Sequence, residues 1–461
     1  MDGVRGGSTG LTHLHENLTT PAEGSVAYTT ANQCSGWMTG AIKGAFALPT
    51  DHATGAGALV GSELVTNGDF ASDVSGWTAN LATHLWNAGE YDDVTITSQY
   101  GGIYQGVTTV VGVVYTFEVD VTLGTITEFR LLVGESSGGG ENANTTFSSS
   151  GVAFVSFVAT STTSYIQIRG VAGETGTFSG DNISIRKAIP DVSVNGKGIA
   201  AHGTLDVTAV ATGADLLAIS GFGVSDYGEQ PYNADLNFAD GVFTFECWIK
   251  TTDSDGGSNV IFERSDGTLN GVIRAYTVDG YFGIYTAEGG AASFFRGGPV
   301  ISDGNWHHVV GVQDLSGLTV YIDSVAGASV SESAASTIRD IDNTSAISRI
   351  GTYKYVTGTA VFEGSLTLPR ITGTALSAAE VKRHYNSERP LFNENASCVL
   401  VGTSDAITAL DHDAETDLLH VGTSGGRSEF NGLVRTGEDT ATTSQSLTSI
   451  SAKDGELMEG K

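Results

Sequence analysis

The chain has 461 residues, enough for about three domains, and an apolar fraction of 40% that excludes general disorder. Its 52 acidic side chains against 22 basic ones give a formal charge of −30, which excludes partners that present phosphate backbones and disfavours anionic lipid surfaces. The 62 glycines, 7 prolines and many short apolar runs between Gly, Ser, Asn and Asp predict an all-β chain of short strands and tight turns.

Residues 1–60 show no repeating pattern and read as an attachment or connecting segment. Within them Gly36-Trp-Met-Thr-Gly-Ala-Ile-Lys-Gly-Ala-Phe46 predicts a short hairpin, and the Gly, Ala and Thr of Thr50–Gly61 predict a linker. The opening Met1–Gly7 has no apolar stretch of the signal-peptide kind, and no run reaches the ~20 apolar residues that span a bilayer, so membrane insertion is not expected. Cys34, Cys247 and Cys398 are odd in number and far apart, which implies no disulfide framework.

Residues 61–188 form a second block. In Val113-Val-Tyr-Thr-Phe-Glu-Val-Asp-Val121 the residues Tyr115, Phe117, Val119 and Val121 share one face, and Thr116, Glu118 and Asp120 share the other. A period of two predicts a strand with one packed and one wet face. Further strands are predicted at Val152–Val158 and Tyr165-Ile-Gln-Ile-Arg169. The block opens with Leu64-Val-Thr-Asn-Gly-Asp-Phe70 and Gly76-Trp-Thr78, and closes with Asp181-Asn-Ile-Ser-Ile185. These two ends resemble the carbohydrate-binding modules attached to xylanases and cellulases. The resemblance implies a jelly-roll β-sandwich with Trp77 in its core. It also implies a structural Ca2+ held by backbone groups near the opening motif and by an Asp of the closing one. Asp181 takes that metal position, while Ala71 stands where many members carry Glu; no other cofactor is expected.

Residues 189–392 form a third block. Leu318, Val320 and Ile322 alternate with Thr319, Tyr321 and Asp323, and Cys247 shares a side with Phe243, Phe245 and Ile249 as a buried small hydrophobe. Leu376-Ser-Ala-Ala-Glu-Val-Lys-Arg-His-Tyr385 is the single short helix predicted, near 376–386, with Ser377 and Glu380 set to form a capping box. Phe243–Lys250, Asp303-Gly-Asn-Trp-His-His-Val-Val310, Leu318–Asp323 and the terminal Leu-Ser-x-x-Glu helix together resemble the laminin-G-like, concanavalin-type jelly rolls. That resemblance makes Trp-His-His a structural strand signature and implies recognition of surfaces and glycans in place of chemistry.

Residues 393–461 repeat Val401-Gly-Thr-Ser404 at Val421-Gly-Thr-Ser424 and read as strands joined by hairpins, resembling one β-propeller blade that must pack on a neighbour. The stretch Gly437–Lys461 is expected to be extended or bound in a trimer.

Catalysis finds little support. His307 and His308 are neighbours on a strand and point to opposite faces, so they cannot share an ion. Asp411-His-Asp-Ala-Glu-Thr-Asp417 lacks the sixth-position Gly of a helix-loop-helix calcium site and reads as a solvated hairpin turn. Glu415-x-Asp417 has no second carboxylate where a retaining glucanase needs one. No phosphate loop, dinucleotide fingerprint or nucleophile elbow is present, and the chain is read as a non-enzyme.

Sugar binding needs exposed rings flanked by polar side chains. The best candidates are Trp86, Tyr91, Tyr100 and Tyr104, amid Asn87, Glu90, Asp92 and Gln105. Two tandem jelly rolls, an acidic surface and a blade-like end resemble the receptor-binding or fibre proteins of tailed bacterial viruses. The resemblance implies a homotrimer on the virion surface, binding host surface polysaccharide and other virion proteins, and set free by virus assembly and host lysis. A bacterial adhesin and a purely architectural virion protein are the competing readings.

Overall fold

The computed structural model describes residues 5–6, 11–13, 25–32, 34–39, 41–87, 91–238, 241–354, 360–413, 415–440, 450–453 and 456–459. The described elements are almost all strands, with one α-helix, Ala378–Glu388. Among the described residues no helix is long and apolar enough to cross a membrane.

Alternation builds the first sandwich. In Val114–Leu123 the side chains of Tyr115, Phe117, Val119 and Val121 are buried, whereas Glu118 and Asp120 are half-buried on the opposite face. One sheet runs in the order Gly151–Val158, Val114–Leu123, Gly176–Ile189, Tyr91–Ile96, Ala82–Asn87. The other is five-stranded, in the order Ala143–Phe147, Phe129–Gly134, Thr163–Gly170, Gly102–Thr108, Thr78–Asn80. Between them lies a core that includes Phe70, Trp77, Phe117, Phe129, Ile166 and Ile168.

The second sandwich buries Phe243, Phe245, Cys247 and Ile249 from Phe243–Lys250 against Phe262, Ile273, Phe282 and Ile284 from the facing sheet. Two of its strands come from the segment expected to be an attachment. Ile42–Ala45 pairs with Ser365–Thr372, and Gly55–Gly61 pairs with Ile199–Ala209. The expected hairpin across Gly36–Phe46 therefore does not form, because Cys34–Thr39 pairs instead with Ser25–Thr29 in a separate four-stranded sheet. The expected linker likewise ends in a strand. Its glycines serve close approach: a Cβ at Gly61 would lie 1.6 Å from the Ala201 carbonyl oxygen. The first sandwich is thus inserted between two paired strands of the second.

The seam between them is continuous. Gly176–Ile189 leaves the first sandwich and pairs Ala188 and Ile189 with Ala200 and Ile199. Gly198 N donates to Ser156 Oγ at 2.7 Å. Burial, followed by the charge of Glu229, raises the carboxyl of Glu118 on this seam to about 7, with Arg186 and Lys354 opposing and Glu63 adding to the rise.

The helix covers the outer face of the second sandwich. Ser377 and Glu380 form the expected capping box. Because strand residues alternate, Glu246, Trp248 and His308 face away from the core that holds Cys247 and Val309, and the helix lands on them. Glu246 pairs with Arg370 across adjacent strands (Nε to Oε1, 3.1 Å), and helix residues Glu388 and His384 complete a buried set with His308. Glu388 also accepts from the Trp248 indole at 2.6 Å. Burial alone would raise the Glu246 carboxyl, but Arg370, His384 and His308 outweigh it and hold it well below the usual range. His307 points the other way, between Asp303 and Asp323 at 3.1 and 2.8 Å.

The strands Ile407–Asp413, Leu418–Thr423, Gly426–Asn431 and Val434–Asp439 form a four-stranded meander with its own small cluster of Leu400, Val421 and Phe430. Leu433 inserts into the cluster that holds Trp248 and Leu391, which seats the meander on the second sandwich. The Val421 copy of the repeated tetrapeptide lies in Leu418–Thr423. The Val401 copy lies outside the strands and is held by Val401 N donating to Ser428 Oγ at 2.9 Å. Of the tail, residues 441–449, 454–455 and 460–461 lie outside the described residues, and Ile450–Lys453 pairs with Glu456–Glu459.

Replacing Arg370 by Leu strands two buried carboxylates, so urea unfolding should show a loss of about 3–5 kcal/mol. A change under about 1 kcal/mol would mean that the helix is held by its apolar contacts alone. For Glu118 the folded state keeps its proton longer than the unfolded one, so the contribution of this group to stability falls as pH rises from 4.5 to about 7. Relative to wild type, Glu118→Gln should gain stability across that window in melts recorded between the two pH values, and a flat difference would contradict the placement.

Candidate carbohydrate-binding face

The outer face of the five-stranded sheet in the first sandwich follows from register. Ile103, Val107, Ile166 and Ile168 point to the core, so Tyr104, Tyr165, Gln167 and Arg169 point away from it. Across the strands Tyr104 stands beside Gln167, Gly102 beside Arg169, and Gly106 beside Tyr165. Beyond them Arg130 stands beside Arg169, and Leu132 beside Gln167. Thr78 and Asn80 extend the face on the other edge and are exposed.

Two glycines shape it. A Cβ at Gly106 would lie 3.3 Å from the Tyr165 ring, and one at Gly102 would lie 2.6 Å from the Arg169 Cβ. Their bare backbones let the ring of Tyr165 and the stem of Arg169 lie close to the sheet. The rings of Tyr104 and Tyr165 are 6.3 Å apart and tilted by 51°, and both residues are half-buried. Tyr100 sits in a turn with φ of 65°, a conformation costly for a bulky residue, and 39% of it is exposed. The Arg169 guanidinium lies 5.7 Å from its ring centroid. Gln167 serves the fold instead. Its amide donates to the Gly139 carbonyl at 2.7 Å and braces the loop that buries Leu132.

Of the four residues picked out by sequence, Tyr104 lies on this face and Tyr100 lies in the turn before its strand, against Arg169. Trp86 lies on the opposite sheet, in Ala82–Asn87. It pairs with the fully buried Asp92, so it points to the core side at the strand end, 40% exposed, with its indole donating to Phe70 O at 2.7 Å. Tyr91 starts Tyr91–Ile96, opposite Asn87, and its side chain lies outside the described residues, as does Glu90. Two polar neighbours of the sequence patch are structural. Gln105 points inward and bonds Thr66 N, Thr66 O and Gly76 O at 2.9–3.1 Å, and Asp92 binds His84 at 2.9 Å. Tyr165, Arg169 and Arg130 were not singled out, although the alternation in Tyr165-Ile-Gln-Ile-Arg169 already set the first two on the outer face.

Asp181, where the resemblance places a calcium, lies against its own turn. The Asp181 carboxylate accepts from Asn182 N at 2.7 Å and from the Asn182 amide at 3.1 Å. Glu63, beside the opening motif, is occupied by Leu64 N, Val65 N, Ile185 N and Ser184 Oγ at 2.6–2.9 Å. Among the described residues no three His, Cys, Asp or Glu side chains are grouped to hold a metal. A cleft of about 570 Å³ opens at the seam, lined by Asn142, Ser156, Asp191 and Ser193. Asp191 there is engaged by the backbone N–H groups of Ala45, Ser193 and Lys197 at 2.9–3.0 Å, which makes it a brace of the seam.

Residues 222–382 match a laminin-G family described as the concanavalin A-like lectin/glucanases superfamily. The chain is similar to that family over this stretch, and it carries the same kind of jelly roll. Among curated proteins none matches the chain. Among solved structures, the chain is similar to the binding domain of botulinum neurotoxin DC in complex with rat synaptotagmin II, at 11% identity and a TM-score of 0.33. That likeness covers 52% of this chain and 59% of the neurotoxin domain. It is also similar to domain 4 of AbnA, a GH43 extracellular arabinanase from Geobacillus stearothermophilus in complex with arabinotriose, at 17% identity, covering 43% of this chain and 93% of that one, with a TM-score of 0.32. A third is the sialidase carbohydrate-binding module CBM40 of Ruminococcus gnavus bound to α2,3-sialyllactose, at 16% identity, covering 31% and 81%, with a TM-score of 0.27.

Proposed function

We propose that the chain is a non-catalytic glycan-binding protein whose first sandwich docks a polysaccharide on the outer face of its five-stranded sheet. The observation that carries this reading is the grouping of Tyr100, Tyr104 and Tyr165 on one solvent-facing sheet surface next to a guanidinium. Sugar C–H faces stack on aromatic rings while hydroxyls take hydrogen bonds from the polar rim. The lectin-type jelly roll of residues 222–382 supports the same class.

The setting we propose is the surface of a virion. The chain would act there as a fibre or decoration protein of a tailed bacterial virus, anchored to other virion proteins. As a homotrimer it would engage host surface polysaccharide by many weak contacts at once. The support for this setting is the joining of two jelly rolls, one inserted in the other, in a strongly acidic chain, and it stands apart from the glycan reading.

Affinity electrophoresis in gels that contain polysaccharides tests the first part. Retardation should appear with at least one polymer, and Tyr104→Ala with Tyr165→Ala should weaken it by about tenfold, at roughly 0.5–1.5 kcal/mol per ring. Unchanged retardation in that double variant would sink the assignment of this face. Native mass spectrometry and labelling of intact particles test the second part: a trimer located on a particle surface is expected, and a monomer absent from particles would contradict it.

A further inference from the structure

We propose that Arg130 and Arg169 make the tyrosine face a receptor for polysaccharides that carry anionic groups, carboxylate or sulfate ester. This rests on the glycan reading above and names its ligand class.

The two arginines are direct cross-strand neighbours on the outer face. Like charges placed so destabilise a sheet. An acid chain offers many ways to relieve that, since 52 carboxylates are available for 22 basic groups. The second sandwich uses them: on its own outer face Arg274 pairs with Glu263, Arg349 with Glu229 and Arg296 with Asp279, at 2.6, 2.6 and 2.9 Å. Among the described residues neither Arg130 nor Arg169 has an acidic side chain within ion-pair distance. Arg130 is steadied by its Nε donating to Thr146 Oγ1 at 3.2 Å. The Arg169 Nε is buried and has no hydrogen-bond partner among the described residues. Burial, and then the charge of Arg130, push the Arg169 guanidinium below its ordinary pKa. Glu141 lies over Gly134, two register rows from the pair.

An arriving anion answers the unbalanced charge. It would neutralise both cations, and a planar oxyanion matches the guanidinium fork. The tyrosines set its place. Tyr104 lies one register row from Gly102 and Arg169, about 7 Å along the strands. A sugar ring stacked on Tyr104 therefore holds a substituent or the next residue within reach of the pair, and the Tyr100 ring lies against the Arg169 guanidinium.

The test is affinity electrophoresis of the full chain against four polymers: polygalacturonate, a sulfated galactan, the same galactan after desulfation, and a neutral xylan. Retention by polygalacturonate, by the sulfated galactan or by both is expected, with the responding polymer identifying the anion, and salt raised from about 50 to about 500 mM should weaken it. Arg130→Gln with Arg169→Gln should cost at least about tenfold on the acidic polymer. Thermal melts should find that double variant no less stable than wild type, because a like-charge pair has been removed. Equal retention of acidic and neutral polymers, unchanged in the double variant, overturns the anion assignment and leaves the glycan reading intact. Retention by none of the four overturns both.

Discussion

A pleated strand points its side chains alternately to two sides, so a sheet that buries one face in a sandwich core must do something with the other. The structure answers that constraint in two ways. In the second sandwich the outer faces are covered or neutralised. The helix Ala378–Glu388 lies over one, and its Glu388 and His384 meet Arg370 and Glu246 in a buried charged set. The meander seats Leu433 on the same sandwich. The other outer face carries arginines paired one by one with glutamate or aspartate. In the first sandwich the five-stranded sheet leaves Tyr104, Tyr165, Arg130 and Arg169 without such cover. The surface that the fold does not use for itself is the one free to act on something else.

The two sandwiches are not beads on a string. The strand Gly55–Gly61 enters the second sandwich before the first begins, and Ile199–Ala209 returns to pair with it. Gly176–Ile189 then runs from one into the other without a break. The seam carries polar groups that are satisfied in place, among them the half-buried Asp191 with its three backbone donors. The His202 imidazole is pushed down to about 4 there, by burial first and against the pull of Glu229. Insertion ties the ends of the first sandwich to a paired ladder, a tighter tether than a flexible linker gives.

Local pattern made much of this legible in the sequence. Period-two alternation marked Val114–Leu123 and Gly317–Ile322 as strands and set their inward faces correctly, and the Ser377–Glu380 spacing marked the helix start. Long-range pairing was not legible. Glycine and alanine near residue 55 look the same whether they give flexibility or close backbone approach, and only the partner strand at Ala201 decides. For the same reason Trp86, Tyr91, Tyr100 and Tyr104 form one patch on paper. Residues 82–87 and 91–96 pair into one sheet and residues 102–108 into the other, so a turn near Tyr100 divides them. Arg130 reaches the face from 39 residues before Arg169 through strand register alone.

The most direct measurement is a crystal structure of the chain with an acidic oligosaccharide. The account predicts a sugar ring over Tyr104 or Tyr165 and an anionic group between the guanidiniums of Arg130 and Arg169. A sugar bound only at the rim loops of the second sandwich, with that sheet surface bare, would contradict it.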